Sequence, residues 1–551
     1  MADWLDSFAP RPLPDYLDDV AARFPDNIAV DFLGKTSSFR EIGALVDKAA
    51  KGFQDLGVGP GTKVGICLPN CPYFTIAYFA ILKAGGTVVN YNPLYVEREL
   101  AFQADDSETE IMVTIDLKMI YDKVEAVRRN GHVKRIVVCS MAAALPFLKG
   151  VLFSLLKRKD KASFRDDDAH IRFDDLIANG GDPAPVVIDP LCDVAVLQYT
   201  GGTTGQPKGA MLSHANLSAN MEQMRAFFGH AEFGRERVLC VLPFFHVFAM
   251  TCAQNLSVLI GAQMVLLPRF EIRQLLETVK RTRPTLFPGV PTLFTAINKV
   301  PDIERYDLTS IRSCISGGAP LPMDVKDEFE RKSGCKLAEG YGLTEASPIV
   351  SSNPLQGEIK AGSIGLPMVG TQVEIRSLDD RDTPLTQGER GEVCVAGPQV
   401  MLGYWRRPEE TAEMIRNGWL HTGDVGYIDE DGYIFLVDRI KDLILCSGFN
   451  VYPRVIEEAA YQHPDVVEAI AIGIPDAYRG QAPKLFVKLG EAANATTQDI
   501  QAFLKDYLSV IERPDEIEIR DELPKTAVGK LSKKELIAEE AAKRAAAETP
   551  G

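Results

Sequence analysis

The run Tyr199-Thr-Gly-Gly-Thr-Thr-Gly-Gln-Pro-Lys-Gly209 holds the residue types that a polyphosphate needs. Glycines let backbone N–H groups turn inward, threonine hydroxyls donate hydrogen bonds, and Lys208 adds a positive charge. The run is not a Walker A loop, because it lacks Gly-Lys-Ser/Thr. Gly57-Val-Gly-Pro-Gly61 also misses the dinucleotide fingerprint, since its third glycine comes one residue early. On composition alone, the threonine- and glycine-rich run also fits a bland flexible turn.

Such a loop needs a rigid base. An apolar strand over Val194–Leu197 leads into it and a helical stretch follows His214. Similar alternation fills the first hundred residues. Phe39–Leu56 has helical periodicity, Lys63–Leu68 reads as a strand, Pro72–Lys83 as a buried helix and Thr87–Val89 as a strand. The pattern returns at 111–139, 236–268 and 283–316, so the bulk of the chain is expected to be layered α/β with parallel sheets. Residues 360–440 are dense in glycine and short strands, the mark of a small β subdomain. From about 440 onward the pattern is compact α+β. Pro453–His463 and Thr497–Leu508 read as helices, Ala469–Ile474 and Leu485–Leu489 as strands, and Lys533–Glu548 as a closing Ala/Glu/Lys-rich helix.

Two segments bear on membranes. Residues 238–268 carry no Asp, Glu, Lys or Arg, which is long enough to span a bilayer. Pro243, His246, Gln254, Asn255, Gly261, Gln263 and Pro268 interrupt the run, so it reads as strand, loop, buried helix and strand. An isolated histidine there is ordinarily a satisfied core residue. Leu145–Leu156 is apolar at helical spacing, with Pro146 in its first turn, and Lys157-Arg-Lys-Asp-Lys161 follows. That combination suits an anionic membrane surface, and equally a solvated surface insertion.

Composition narrows the function classes. The 551 residues are 46% hydrophobic and 25% charged, ordinary for a globular chain. The net charge of −16 repels phosphate backbones, so no nucleic-acid partner is expected. Ten scattered cysteines, with Cys67 and Cys71 the one close pair, point to free thiols rather than zinc. The start, Met1-Ala-Asp-Trp-Leu-Asp6, has no apolar export segment, so a cytoplasmic location is expected, with peripheral attachment to the membrane's inner face as an option.

The glycine–threonine loop resembles the phosphate-binding signature of the AMP-forming adenylating superfamily, which includes acyl-CoA synthetases, luciferases and peptide-synthetase adenylation domains. Six further matches follow in order: Leu242-Pro-Phe-Phe-His246, Ser316-Gly-Gly-Ala-Pro320, Gly340-Tyr-Gly-Leu-Thr-Glu345, Gly418-Trp-Leu-His-Thr-Gly-Asp424, Val437-Asp-Arg-Ile-Lys-Asp442 and Pro524-Lys-Thr-Ala-Val-Gly-Lys530. The nearest likeness is to bacterial long-chain fatty-acid–CoA ligases. The resemblance implies a large α/β body over 1–438, with layered subdomains and a small β subdomain. A small mobile α+β domain follows over 439–551.

The implied reaction has two halves. A carboxylate attacks the α-phosphorus of ATP, giving acyl-AMP and pyrophosphate. The thiol of coenzyme A then displaces AMP. The resemblance assigns Thr200, Gly201, Gly202, Thr203, Thr204, Gly205 and Lys208 to the phosphates, and Thr200 and Glu345 to Mg²⁺. Val247, Gly318, Ala319, Glu339, Gly340, Tyr341 and Gly342 fall around the nucleotide, with Tyr341 offering a ring face to adenine. Thr344 contacts the α-phosphate, while Asp424 and Arg439 take the ribose. Lys530 bridges carboxylate and phosphate during the first half-reaction, and Lys441 is both a nucleotide contact and the hinge. Ser447 and Gly448 approach coenzyme A. His246 acts as gate and orienting group. Phe245, His246, Phe248, Met250, Gly289, Val290, Pro291 and Gly317 line an acyl pocket without charge, which favours a medium- or long-chain fatty acid. Leu445 departs from the family, where many members carry a second lysine. The alternatives are an aryl or phenylpropanoid ligase, another carboxylic-acid ligase, and a fatty acyl-AMP ligase that skips coenzyme A. A non-catalytic nucleotide sensor is the reading from a different class. Homodimerisation is left open.

Overall fold

The computed structural model describes residues 8–548, except 132, 166, 201–206, 447–448, 477, 491–492 and 526–530. The chain divides into two compact units. The first comprises residues 1–372 and 395–420, the second residues 373–394 and 421–551.

The first unit is built on two sheets. One has eight strands, and its centre is parallel: Lys63–Ile66 lies between Thr87–Asn90 and Thr109–Ile115, and Val194–Thr200 pairs with Thr87–Asn90. The other has nine strands. Lys336–Gly342, Ser313–Ser316, Leu286–Gly289, Arg237–Cys240, Gln263–Leu266 and Ile28–Phe32 run parallel across it. Parallel strands need crossover connections, and the expected helices supply them. Phe39–Asp55 starts at a capping box, in which Ser38 and Glu41 satisfy each other's backbone donors. Pro72–Lys83 is buried from Tyr73 to Leu82, which explains why it is apolar all round rather than along one stripe.

The uncharged stretch folds as read. Strand Arg237–Cys240 leads through a loop into a continuous helical passage, Val247–Ile260, and out through strand Gln263–Leu266. Its middle, Met250–Asn255, is wound as a π-helix. Among the described residues, no helix is long and apolar enough to cross a membrane. The helix expected over Leu145–Leu156 begins at Phe147. Pro146 stands just before it, because its extended backbone makes it the cap rather than part of the first turn.

In the second unit, Val466–Asp476 and Gly480–Leu489 form a long antiparallel pair. Side chains alternate faces along a strand. Ala469 and Ala471 pack with Ile456 and Ile500 on one face, and Ile470, Ile472 and Ile474 pack with Leu536 on the other. Both faces are covered by helices, so the strand reads as an unbroken apolar run.

Candidate active site

Ligands of open parallel sheets sit beyond the carboxyl ends of the strands. Two expected segments lie at these ends. Gly289 is in register with Ser316, and Ser316 with Glu339, so the starts of the Gly317–Ala319 and Gly340–Gly342 segments lie side by side. Gly318 has φ +84°, the left-handed region that glycine alone adopts at no cost. At Gly342 a Cβ would stand 2.2 Å from the carbonyl oxygen of Pro348, so no side chain fits. Tyr341 is buried. Glu339 accepts the Leu321 N–H at 3.2 Å.

Glu345 follows in the short turn Thr344–Ala346 and is buried. The Tyr404 hydroxyl donates to its Oε1 at 2.6 Å. Burial, reinforced by the Glu345 carboxylate, pushes the Tyr404 hydroxyl far above its ordinary pKa, so it stays a donor. Gly403–Tyr404 pairs with Lys208–Ser213, and Thr200 pairs with Lys208 at the mouth of the loop. Lys208 Nζ lies 5.2 Å from the centre of the Tyr404 ring, a cation–π contact. Lys208, Glu345 and the base of Thr200 thus come together around one tyrosine.

The loop base has a second anchor. The Tyr199 hydroxyl donates to Asp106 Oδ2 at 2.7 Å, and Arg407 Nη2 donates to Asp106 Oδ1 at 2.6 Å. The Trp405 indole N–H donates to the Asp106 carbonyl at 3.1 Å. Gly209 lies under the Tyr199 ring, where a Cβ would approach to 3.1 Å. Gly201, Gly202, Thr203, Thr204 and Gly205 lie outside the described residues.

The residues expected to line an acyl chain lie along the turn before Val247, the helix after it and the ends of neighbouring strands. Asn70 donates to the carbonyls of Cys240 and Leu242 and accepts the Phe244 N–H, which fastens the turn leading to His246. His246 accepts the Phe248 N–H on Nδ1 at 3.3 Å, capping the helix that starts at Val247. The Phe248 ring lies 3.2 Å from where a Cβ on Gly317 would be. Met250, Val290 and Pro291 are buried, and Phe245 is half-buried. Several buried polar atoms here have no partner, among them Gln254 Nε2, Asn90 Oδ1 and Ser316 Oγ.

In the second unit, Asp424 and Arg439 face each other across one hairpin. Arg439 Nε meets Asp424 Oδ1 at 3.0 Å, with Asp424 buried and Arg439 half-exposed. On the neighbouring strand Gly391–Ala396, Glu392 accepts a two-pronged contact from Arg381 at 3.0 and 3.2 Å and the Gly423 N–H at 3.1 Å. Its Oε2 also lies 2.8 Å from His421 Nδ1. Thr422 Oγ1 donates to the Val393 carbonyl and accepts the Asp424 N–H. Glu392, Cys394 and His421 could together face a metal ion, their ligand atoms lying within 4.8 Å. Arg381 occupies both oxygens of Glu392, and burial pushes the Cys394 thiol up to about 12, so Glu392 is already held in an ion pair beside a neutral thiol.

Lys441 sits exposed in the turn Ile440–Asp442. Leu445 is exposed, and its N–H donates to Gln481 Oε1 at 2.8 Å. Ser447, Gly448 and Lys530 lie outside the described residues. The flanks of the Lys530 segment, Lys525 and Leu531, pair as an antiparallel bridge.

Sequence reasoning missed Tyr404, Asp106, Asn70 and Glu392. None of them sits inside a motif assigned to chemistry; Glu392 falls in a glycine-rich run read only as part of the small β subdomain. The signal available was weak: a tyrosine and a tryptophan after Gly403, and a glutamate inside Gly388-Glu-Arg-Gly-Glu392.

Residues 17–405 match the AMP-binding enzyme family, and residues 455–530 match the AMP-binding enzyme C-terminal domain. The chain is 43% identical over 533 residues to a long-chain-fatty-acid–CoA ligase of Bacillus subtilis, covering 96% of this chain and 95% of that one. It is 32% identical over 519 residues to 4-coumarate–CoA ligase 1 of Arabidopsis thaliana, covering 91% and 88%. Among solved structures, o-succinylbenzoate coenzyme A synthetase from Bacillus subtilis, in complex with ATP and magnesium ion, superimposes with a TM-score of 0.77 at 26% identity, over 95% of this chain and 98% of that one. With strand-end glycines, an acidic turn and a lysine-bearing loop in one body, the fold is that of a nucleotide-activating ligase. The chain belongs to the AMP-binding enzyme family.

Proposed function

We propose that the protein joins a medium- or long-chain fatty acid to coenzyme A through an acyl-AMP intermediate, with ATP as the driving substrate. In the first step a carboxylate oxygen bonds to the α-phosphorus, and the bond to the bridging oxygen breaks, releasing pyrophosphate. In the second, the coenzyme A sulfur bonds to the acyl carbon, AMP leaves, and the thiol proton passes to water.

The observation that carries this reading is the Lys208–Tyr404–Glu345 corner, present in a chain similar over nearly its whole length to a long-chain-fatty-acid–CoA ligase. Lys208 and the loop balance the charge on the departing pyrophosphate. Glu345 fits Mg²⁺: it is a hard oxygen donor, buried, with one oxygen fixed by Tyr404. Bound there with Thr200, the ion would supply charge neutralisation at the phosphates. Asp424 and Arg439 orient the ribose. Lys530 joins the substrate carboxylate to the α-phosphate. Phe248, Met250, Val290 and Gly317 wall the acyl chain, with His246 as its gate. We also propose that residues 439–551 move as a unit about Lys441, so that Ser447 and Gly448 meet coenzyme A in the second half-reaction. A cytoplasmic location is part of the same proposal.

ATP–pyrophosphate exchange with a panel of acids tests the reading. Exchange driven by medium- and long-chain acids, followed by coenzyme A-dependent release of AMP, supports it. Exchange driven by coumarate instead would make it an aryl ligase. Exchange without consumption of coenzyme A would make it an acyl-AMP ligase, and none with any acid would favour a nucleotide sensor.

A further inference from the structure

The helix Phe147–Leu156 is turned inside out. A surface helix ordinarily hides its apolar stripe and shows its polar one. Here Phe147, Leu148, Val151, Leu152, Leu155 and Leu156 are all exposed, Phe147 and Leu148 by 82% and 80%. Their spacing puts 147, 151 and 155 in one row and 148, 152 and 156 in the next, a continuous two-row stripe. Gly150 is the one buried residue of the helix. A Cβ at Gly150 would lie 2.4 Å from the Ala142 carbonyl oxygen. The helix therefore rests on the turn Met141–Ala144 through a glycine contact and, apart from the half-buried Phe153, carries its large apolar side chains outward. Lys149 Nζ donates to the Leu33 carbonyl at 2.8 Å and holds the seat from the other side.

The helix ends in charge. Lys157, Arg158, Lys159 and Lys161 are exposed, and the one acid among them, Asp160, is bound to Lys157 at 3.2 Å. Lys161 also meets the buried Asp116 at 3.4 Å, so of the four cations that adjoin the stripe Lys157 and Lys161 are ion-paired within the chain, which carries a net charge of −16. Exposed apolar groups need a partner that removes them from water, and the neighbouring cations need one that is negative.

We infer that this helix lies flat in the surface of an anionic lipid bilayer, its apolar rows sunk among the acyl chains and its basic end against the headgroups. At about 1.5 Å per residue, ten residues span roughly 15 Å, which suits the interface and is too short to cross. The inference stands on the helix itself and holds whichever acid the enzyme activates.

Flotation with vesicles tests it, using phosphatidylcholine alone and phosphatidylcholine mixed with phosphatidylglycerol. The full-length protein is expected to float with the mixed vesicles, far less with the neutral ones, and to detach as salt rises. The variant Leu148→Ser/Leu152→Ser/Leu155→Ser changes exposed residues and should abolish flotation on both. The variant Lys157→Gln/Arg158→Gln/Lys159→Gln should weaken partitioning into the mixed vesicles on the order of a hundredfold, about fivefold per charge. Turnover of a short water-soluble acid should be unchanged in both, which shows that they fold. Failure of the unaltered protein to float, or equal flotation of the leucine variant, would overturn the inference. So would a wild-type dimer by analytical ultracentrifugation that the leucine variant reduces to monomer, since a second copy would then cover the stripe.

Discussion

Glu345 in the first unit and Asp424 in the second are both buried carboxylates, yet they are held in opposite ways. Glu345 is fixed by a phenol, a neutral donor that orients the carboxylate without cancelling its charge. Asp424 is paired with Arg439, and Glu392 behind it with Arg381. Pairing a buried charge stabilises shape but uses up the charge. A neutral donor leaves it available for a cation. At these two positions the phenol leaves the charge of Glu345 uncancelled, while the guanidinium of Arg439 matches that of Asp424.

The sharpest way to break this contrast is to separate the half-reactions. Lys530→Ala should lower acyl-AMP formation by roughly 10²–10³-fold, the scale of losing one transition-state partner, while sparing thioester formation from supplied acyl-AMP. Lys441→Pro, which fixes φ, should do the reverse. Rapid-quench measurements of each half-reaction read both. Equal losses in the two steps would remove the proposed division of labour.

Glu392→Gln comes next. It keeps the shape and removes the charge that holds Arg381, His421 and the Gly423 N–H. Losing one partner of a buried pair costs several kcal/mol; with Arg381 36% exposed and able to turn to water, about 3 kcal/mol is expected. The melting transition of the second unit should fall, and the KM for ATP should rise, because the Thr422–Asp424 stretch of strand Trp419–Ile428 loses its backing. A normal melt would make Glu392 a bystander.

Tyr404→Phe probes the other side. A hydrogen bond to a charged group is worth about 1.5–3 kcal/mol, so adenylation should drop roughly 10- to 100-fold. The Mg²⁺ concentration for half-activity should move with it. A loss of rate at unchanged Mg²⁺ dependence would show that the phenol serves packing and not the carboxylate.

What the sequence disclosed follows the same line. The parallel strands, the buried Pro72–Lys83 helix and the course of 238–268 are set by local periodicity, so they were legible. Asp424 and Arg439 lie in neighbouring motifs and meet across one hairpin. Tyr404 and Asp106 were not legible. Tyr404 reaches Glu345 across 59 positions, and Asp106 reaches Arg407 across 301. Such partners depend on the order of strands in the sheet, and no local spacing announces that order. Gln481 accepts the Leu445 N–H across 36 positions, another partner that no local spacing announces.

The smallest effect sets the two units apart by pH. His214 is buried, accepts the Leu13 N–H on Nδ1 at 3.1 Å, and burial lowers its pKa from 6.5 to about 4. A histidine with a depressed folded pKa lends stability above 6.5 and loses it as pH falls toward 4. By pH 5 the loss is about 2 kcal/mol. Glu392 behaves alike but lower. Burial opposes its charge, yet Arg381 and His421 outweigh that and hold it below 4.5, so its contribution persists until pH drops beneath that value. The second unit, residues 373–394 and 421–551, contains no tryptophan, while Trp405 and Trp419 belong to the first. Tryptophan fluorescence in denaturant should therefore report a first unit that weakens between pH 6.5 and 5, while a tyrosine or calorimetric signal from the second holds steady. His214→Gln, which keeps an acceptor for Leu13, should flatten the fluorescence trend. Parallel weakening of both signals in that window would mean that acid acts through groups the two units share.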